Sequence, residues 1–241
     1  MEGYKRVVVV NSHWFLLAVF FALCCILSVT HFLISATCYP RLSSFIGGLA
    51  AAFFVATLQF LIQFHEQIKL SKFRRHGVLD FLEERSGKDV YQKIIKTSRK
   101  GTKIQLQGVT GNRFLQDFAD FNDERSRALI EALDRGVSVE ILVAHPDFLN
   151  TENKPDLLNK TVRLSEELIK RFPSSFEIKY YKAYPSHNIL ACGEVCLVGP
   201  VFKDKSSKNS PAIIFDRSGS YVSPYLENFS NMWAEASSTY E

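Results

Sequence analysis

The sequence predicts an α/β fold, a mixed, largely parallel sheet flanked by helices, preceded by an α-helical two-transmembrane hairpin. Three observations predict it. First, 18 of the 21 residues from Trp14 to Ile34 are apolar and none is Asp, Glu, Lys or Arg, and 15 of the 20 from Phe45 to Phe64 are apolar. Each stretch has the length a helix needs to cross about 30 Å of hydrocarbon. Second, the order strand, helix, Gly, strand between Lys103 and Ala144 is a βαβ-type unit, which implies parallel strands with the loops at their C-terminal ends open for chemistry. Third, the 177 residues after Phe64 have ordinary composition and suffice for one core-forming domain. The expected organisation is a hairpin over 1–64, a basic juxtamembrane helical stem over 65–87 and a cytoplasmic domain over 88–241.

Lys5 and Arg6 precede the first apolar segment, Lys69, Lys72, Arg74 and Arg75 follow the second, and the loop between them carries only Arg41. That bias places both termini and the globular domain in the cytoplasm. A cleaved signal peptide is the competing reading, but an apolar run of about 21 residues exceeds the usual h-region of about 7–15, and Ser35-Ala36-Thr37-Cys38 is a poor lipoprotein site. Gly47-x-x-x-Ala51 and Gly48-x-x-x-Ala52 put small residues where a second backbone can approach, either within the hairpin or between subunits. His31, Thr57, Gln59 and Gln63 are polar groups at membrane depth, which normally face protein or water. Gln59 and Gln63 share a helix face and could line a narrow aqueous path in an oligomer; interfacial anchoring of Gln63 and interhelical hydrogen bonding are the simpler and preferred explanation. Two helices enclose no ion path alone, so any channel role requires a homo-oligomer, a dimer or tetramer.

From His65 the helix is expected to run on as a stem to Gly77, and Val78 to Ser98 reads as one or two amphipathic helices. Lys103 to Gln107 alternates as a strand and enters the loop Gly108-Val-Thr-Gly-Asn-Arg113. Phe114 to Asp134 reads as one helix stopped at Gly136, and Val137 to Ala144 as a strand. A helix at 154–172 and a strand at Phe176 to Tyr181 follow. Two short strands then flank the tight hairpin Cys192-Gly193-Glu194. Lys203 to Ser210 reads as a polar loop, Pro211 to Phe215 as a strand and Ser223 to Ala236 as a closing helix.

Charge and cysteines exclude some functions. Residues 65–241 hold 26 basic and 24 acidic side chains, not the broad positive field of a protein that grips duplex DNA non-specifically. Cys24, Cys25, Cys38, Cys192 and Cys196 form neither a disulfide framework nor a zinc-ligand spacing and read as packing residues. Gly108-Val-Thr-Gly lacks the Gly-Lys-Ser/Thr ending of a P-loop, and no nucleophile elbow or His-Glu-x-x-His helix occurs. No cofactor and no metal is expected.

The runs GTKIQLQGVTGNRF, ALIEALDRGVSVEILVAHPDF, FEIKYYKAYPSHNILACGEVCLVGP and SPAIIFDRSGSYVSPYLENFSNMW resemble the layout of a phospholipase D-like domain over about Lys88 to Ala236. In that superfamily a His-x-Lys-x-x-x-x-Asp motif sits on a β-hairpin; the resemblance implies His187 as nucleophile and Glu194 in the acidic position, if the protein is enzymatic. The Lys position is Ile189, so the oriented cation is missing, a loss that typically costs several hundred-fold in rate. The resemblance therefore implies a degenerate motif in a pocket that still recognises phosphate, with Gly108, Thr110, Asn112, Arg113, Lys182, Ser186 and His187 around it. Arg113 or Lys182 would stand in for the missing Lys.

Two transmembrane helices joined to a small ligand-binding domain is a layout similar to membrane-disrupting effectors of bacterial antiviral signalling systems. The expectation is an integral protein of a bacterial inner membrane, non-enzymatic, whose partners are the lipid membrane, other copies of itself and a phosphate-bearing ligand, a nucleotide or short single-stranded oligonucleotide. A membrane-tethered phosphodiesterase using His187, and a purely structural partner-binding module, are the alternatives.

Overall fold

A computed structural model describes residues 2–34, 39–85, 87–202 and 209–240, the first thirteen of them as backbone alone. Cys38 and most of the loop expected at Lys203 to Ser210 lie outside the described residues. The chain divides into two compact units, Met1–Lys72 and Phe73–Glu241.

The first unit is built from helix α1 (Glu2–Leu33) and helix α2 (Pro40–Arg75). Both are long and apolar enough to span a membrane. Their apolar side chains are not hidden in a core: Phe21, Ile26, Phe32, Phe45, Phe54 and Ile62 are all exposed. The two helices meet along a seam in which the Phe20 ring lies 6.1 Å from those of Phe53 and Phe60. At its loop end His31 donates from Nδ1 to the Ser43 carbonyl at 3.0 Å.

The two small-residue pairs separate. A Cβ on Gly47 would stand 2.9 Å from the His31 ring, whereas one on Gly48 would meet nothing within 4 Å. Gly47 therefore serves packing against α1 inside the hairpin. Thr57 is buried and donates to the Phe53 carbonyl one turn back, while Ala51, Gln59 and Gln63 are exposed. Gly47→Leu is expected to force His31 off Ser43 and destabilise the hairpin by about 1–3 kcal/mol, the usual cost of overpacking. Gly48→Leu should leave it unchanged, and the melting of the two detergent-solubilised variants compares them.

The second unit is a seven-stranded sheet in the order β1-β7-β6-β5-β2-β3-β4. Its strands are β1 (Val78–Leu82), β2 (Lys103–Gly108), β3 (Ser138–Ala144), β4 (Phe176–Tyr181), β5 (His187–Cys192), β6 (Val195–Pro200) and β7 (Ala212–Asp216). The expected parallel character holds only for β2, β3 and β4; every other neighbouring pair is antiparallel. Connections decide this. Helices α4 (Asn112–Phe118) and α5 (Ala128–Asp134) carry the chain from β2 to β3, and α6 (Val162–Arg171) carries it from β3 to β4, the crossovers that parallel pairing requires. β5 and β6 are joined by the Gly193-Glu194 turn, with Gly193 at φ +57°, so they must run antiparallel.

Two helical expectations also fail. Val78–Leu82 is the edge strand β1, and only α3 (Lys88–Lys96) is helical in that stretch; the stem's helix ends at Arg75. Gly77, at φ +86°, turns the chain into the sheet, and its carbonyl accepts the Asp216 N–H at 2.7 Å. The single helix expected from Phe114 breaks between α4 and α5. There Asp120 accepts from the Asn122 N–H at 2.8 Å, and Asp123 accepts from the Arg125 N–H and the Ser126 hydroxyl. Short acidic side chains thus hold local turns in place of helical hydrogen bonds. The backbone N–H of Arg125, then the Ser126 hydroxyl, hold the Asp123 carboxyl below its ordinary range.

One face of the sheet packs on α3, where Cys192 Sγ approaches the Ile94 carbonyl. The other carries α7 (Ser223–Glu235), with Gln107 against Met232 and Lys179 over the Trp233 ring. The core between these layers holds Leu115, Leu129, Ile141, Leu190, Phe215 and Phe229. Cys192 pairs with Val195, and Cys196 with Ala191, so the two thiols point to opposite faces. Both are free and buried, and burial pushes the Cys196 thiol up to about 12.

Candidate functional site

Consecutive residues on a strand point to opposite faces, and β5 begins His187-Asn188. That alternation divides the expected single site into two.

On the face of Asn188 lies a cleft at the C-terminal end of β2. Its lining includes Arg85, Lys88, Gly108, Thr110, Arg113 and Asn188. Small residues make room for it. A Cβ on Gly108 would lie 3.6 Å from the Asn188 amide, and one on Gly199, which pairs with Asn188 from β6, would lie 3.1 Å from Arg85 Cδ. The Arg85 stem thus crosses the sheet over a glycine. Its head reaches Asn188, whose amide, oriented with oxygen toward the guanidinium, accepts from Nη1 at 2.8 Å and Nη2 at 3.0 Å. The loop after β2 is pinned from both sides: Tyr181 donates to the Gly108 carbonyl at 3.3 Å and Thr161 to the Thr110 carbonyl at 2.8 Å. Gly111 sits at φ +68°, where a Cβ would press on Val143.

The charges of this cleft are unequal. Asp117 satisfies two cations, Lys88 at 2.6 Å and Arg113 at 3.2 Å. Arg85 is only 8% exposed, and among the described residues no carboxylate pairs with it. Its Nε makes no hydrogen bond. Burial lowers the Arg85 pKa, yet a guanidinium keeps its charge at any ordinary pH. A buried cation held only by a neutral amide costs several kcal/mol unless an anion completes it.

The opposite face carries His187. Its Nδ1 lies 2.8 Å from the Ser186 hydroxyl, its ring meets Tyr225 edge-on at 5.3 Å, and Nε2 is buried without a partner. The groove around it is lined by Val198, Pro200, Phe215, Tyr221 and Tyr225, and among the described residues no Lys or Arg lines it. Ile189 shares the His187 face but is 1% exposed, sealed in the core. Neither Arg113, on the other face, nor Lys182, exposed after β4, supplies the missing cation. Glu194 lies in the turn at the far end of β5, roughly 20 Å from His187 at the usual strand rise.

The expected residues therefore distribute as follows: Gly108, Thr110 and Arg113 share the cleft, Ser186 and His187 share the groove, and Lys182 and Glu194 belong to neither. Asn112 is buried beside the loop, its N–H toward Thr110 Oγ1 and its Oδ1 unpartnered. Sequence reasoning missed Arg85, Lys88 and Asn188. The first two stand 23 and 20 residues before Gly108 in a stretch read as stem and helix, and only the pairing of β1 beside β7 brings them in.

Burial lowers the His187 pKa, so between that value and the ordinary 6.5 the unfolded chain binds the proton more readily. Stability contributed by neutral His187 is complete above about pH 6.5 and is lost as pH falls through the folded-state pKa. His187→Phe is expected to melt with a smaller acid-side decline than the wild type between pH 7.5 and 5. Equal declines would show that another group governs it.

No family model matches the chain, and no curated protein matches it. Among solved structures it is similar to TrmBL2, described as an archaeal chromatin protein with a novel mode of DNA binding, at 12% identity and a TM-score of 0.46 over 80% of this chain and 70% of that one. A likeness at that level carries no argument about this chain.

Proposed function

We propose that the chain is a membrane-anchored oligomeric effector. Its α/β domain, phospholipase D-like with a degenerate motif, senses a phosphate-bearing ligand, a nucleotide or short oligonucleotide. Ligand binding changes subunit packing, and the two-helix hairpins then gate or disrupt the membrane. The setting that fits is antiphage defence at a bacterial inner membrane, with the domain and both termini cytoplasmic.

The observation that carries the reading is the buried Arg85, which has no carboxylate partner among the described residues, in a cleft that also presents Lys88 and Arg113. Outward-facing Phe, Ile and Leu on both long helices support the anchor, since water would penalise such a surface and lipid would not. The phosphodiesterase alternative has less support, because among the described residues the His187 groove brings no cation to a developing phosphate charge.

Native mass spectrometry of the detergent-solubilised full-length protein tests the reading, because it reports subunit number and co-purifying phosphate-bearing ligand together. An oligomer that carries such a ligand is expected. A strict monomer without ligand overturns the effector reading, and turnover of a generic phosphodiester that disappears in His187→Ala replaces it with the enzymatic one.

A further inference from the structure

The Arg85 cleft has a charge and a size that select among phosphate ligands, and the inference drawn from them rests on the reading above. Among the described residues three cations line it, Arg85, Lys88 and Arg113, against one carboxylate, Asp117. Its net charge is thus two positive units. A phosphate monoester at neutral pH carries nearly two negative charges and three free oxygens, with a second pKa near 6. An internal or cyclic phosphodiester carries one negative charge and two free oxygens. The cavity holds about 120 Å³, well below the roughly 300–1,000 Å³ of a site that encloses a whole drug-sized molecule.

We infer that the cleft takes one terminal phosphate monoester group, with the rest of the ligand outside, and discriminates against phosphodiesters. Arg85 holds the dianion, because Asn188 takes one N–H from each of Nη1 and Nη2 and leaves the rest of the fork to donate. Lys88 and Arg113 stand at the mouth on α3 and α4, both tied to Asp117. An arriving phosphate competes with that carboxylate for them, so Asp117 sets the affinity by occupying the cations when the cleft is empty.

Binding to the detergent-solubilised full-length protein, measured by titration calorimetry, tests this with 5′-AMP, 3′,5′-cyclic AMP, inorganic phosphate and dihexanoyl phosphatidic acid. The expected result is that 5′-AMP binds at least tenfold tighter than cyclic AMP at pH 7.5. This preference should shrink by about tenfold at pH 5, where the monoester has lost its second charge. Inorganic phosphate should compete with 5′-AMP, and the phosphatidic acid arm distinguishes a lipid headgroup from a soluble source of the same monoester. Arg85→Gln is expected to weaken 5′-AMP by a hundredfold or more, Arg85→Lys by less, and Asp117→Asn to strengthen it. Cyclic AMP binding as tightly as 5′-AMP, with the same dependence on Arg85, overturns the monoester inference and leaves the phosphate-sensing reading standing. No binding of any of the four compounds overturns both.

Discussion

Replacing Arg85 with Met and Asn188 with Leu together should raise the melting temperature of the full-length protein while abolishing phosphate binding. The two side chains pair a buried guanidinium with a half-buried amide, and the guanidinium has no acidic partner among the described residues. Well-packed apolar replacements of buried ionic groups are often neutral or stabilising by about 1–4 kcal/mol. Met follows the path of the Arg85 stem across Gly199, where only hydrogen stands in its way, and Leu shares the Cγ-branched shape of Asn. Arg85→Met alone should gain less, because it leaves the half-buried Asn188 amide without its partner. The opposite signs are the diagnostic: a residue kept for structure loses stability when removed, whereas one kept for a ligand gains it. Calorimetric melting of wild type, single and double variants measures this, and a double variant that melts well below wild type would show Arg85 to be structural.

How much of this was legible in the sequence depends on which interaction fixed each element. Strands β2 to β7 were readable because their alternation or apolar runs are bounded by local stops such as Gly136 and the Gly193 turn, and those signals survive folding unchanged. Strand β1 was not. Val78-Leu-Asp-Phe-Leu fits a helix face as well as a strand, and only hydrogen bonding to β7, 130 or more residues away, selects the strand. The break between α4 and α5 was written in Asp120 and Asp123, which compete locally with helical hydrogen bonds, and the apolar period hid it. At the site, the loop Gly108 to Arg113 announced itself by composition. The separation of His187 from that loop follows from the two-residue period of β5 and was available from the sequence, yet a motif read as a string does not say which face each residue takes. Arg85 was invisible, because its meaning comes from the lack of an acidic partner among the described residues, which only the folded neighbourhood defines.

Gly77→Ala should destabilise the α/β unit by about 3–5 kcal/mol, the sum of two distinct costs. Gly77 sits at φ +86°, where an L side chain is strained, and its Cβ would stand 2.6 Å from the Gly219 Cα. Approached from the other partner, a Cβ on Gly219 would meet Gly77 Cα and the His76 carbonyl at 2.8 Å and the Asp216 carbonyl at 2.9 Å. Every obstacle is backbone, so no rotamer change relieves it. The surrounding hydrogen bonds leave the segment little freedom to retreat: Asp216 N–H donates to the Gly77 carbonyl at 2.7 Å, and Gly219 N–H to the Asp216 carbonyl at 2.9 Å. Gly219→Ala pays only the packing cost and should lose about 1–3 kcal/mol, so the difference between the two variants isolates the strain of the positive φ. Because both substitutions intrude on one contact, the double variant should lose less than the sum. The consequence reaches the site. This contact sets the end of β1 nearest α2, β1 carries the chain to Arg85, and a shift there moves the guanidinium relative to Asn188. Gly77→Ala protein that remains folded should therefore bind 5′-AMP more weakly than wild type at a temperature where both are native, and unchanged affinity would show that the clamp positions β1 without positioning Arg85.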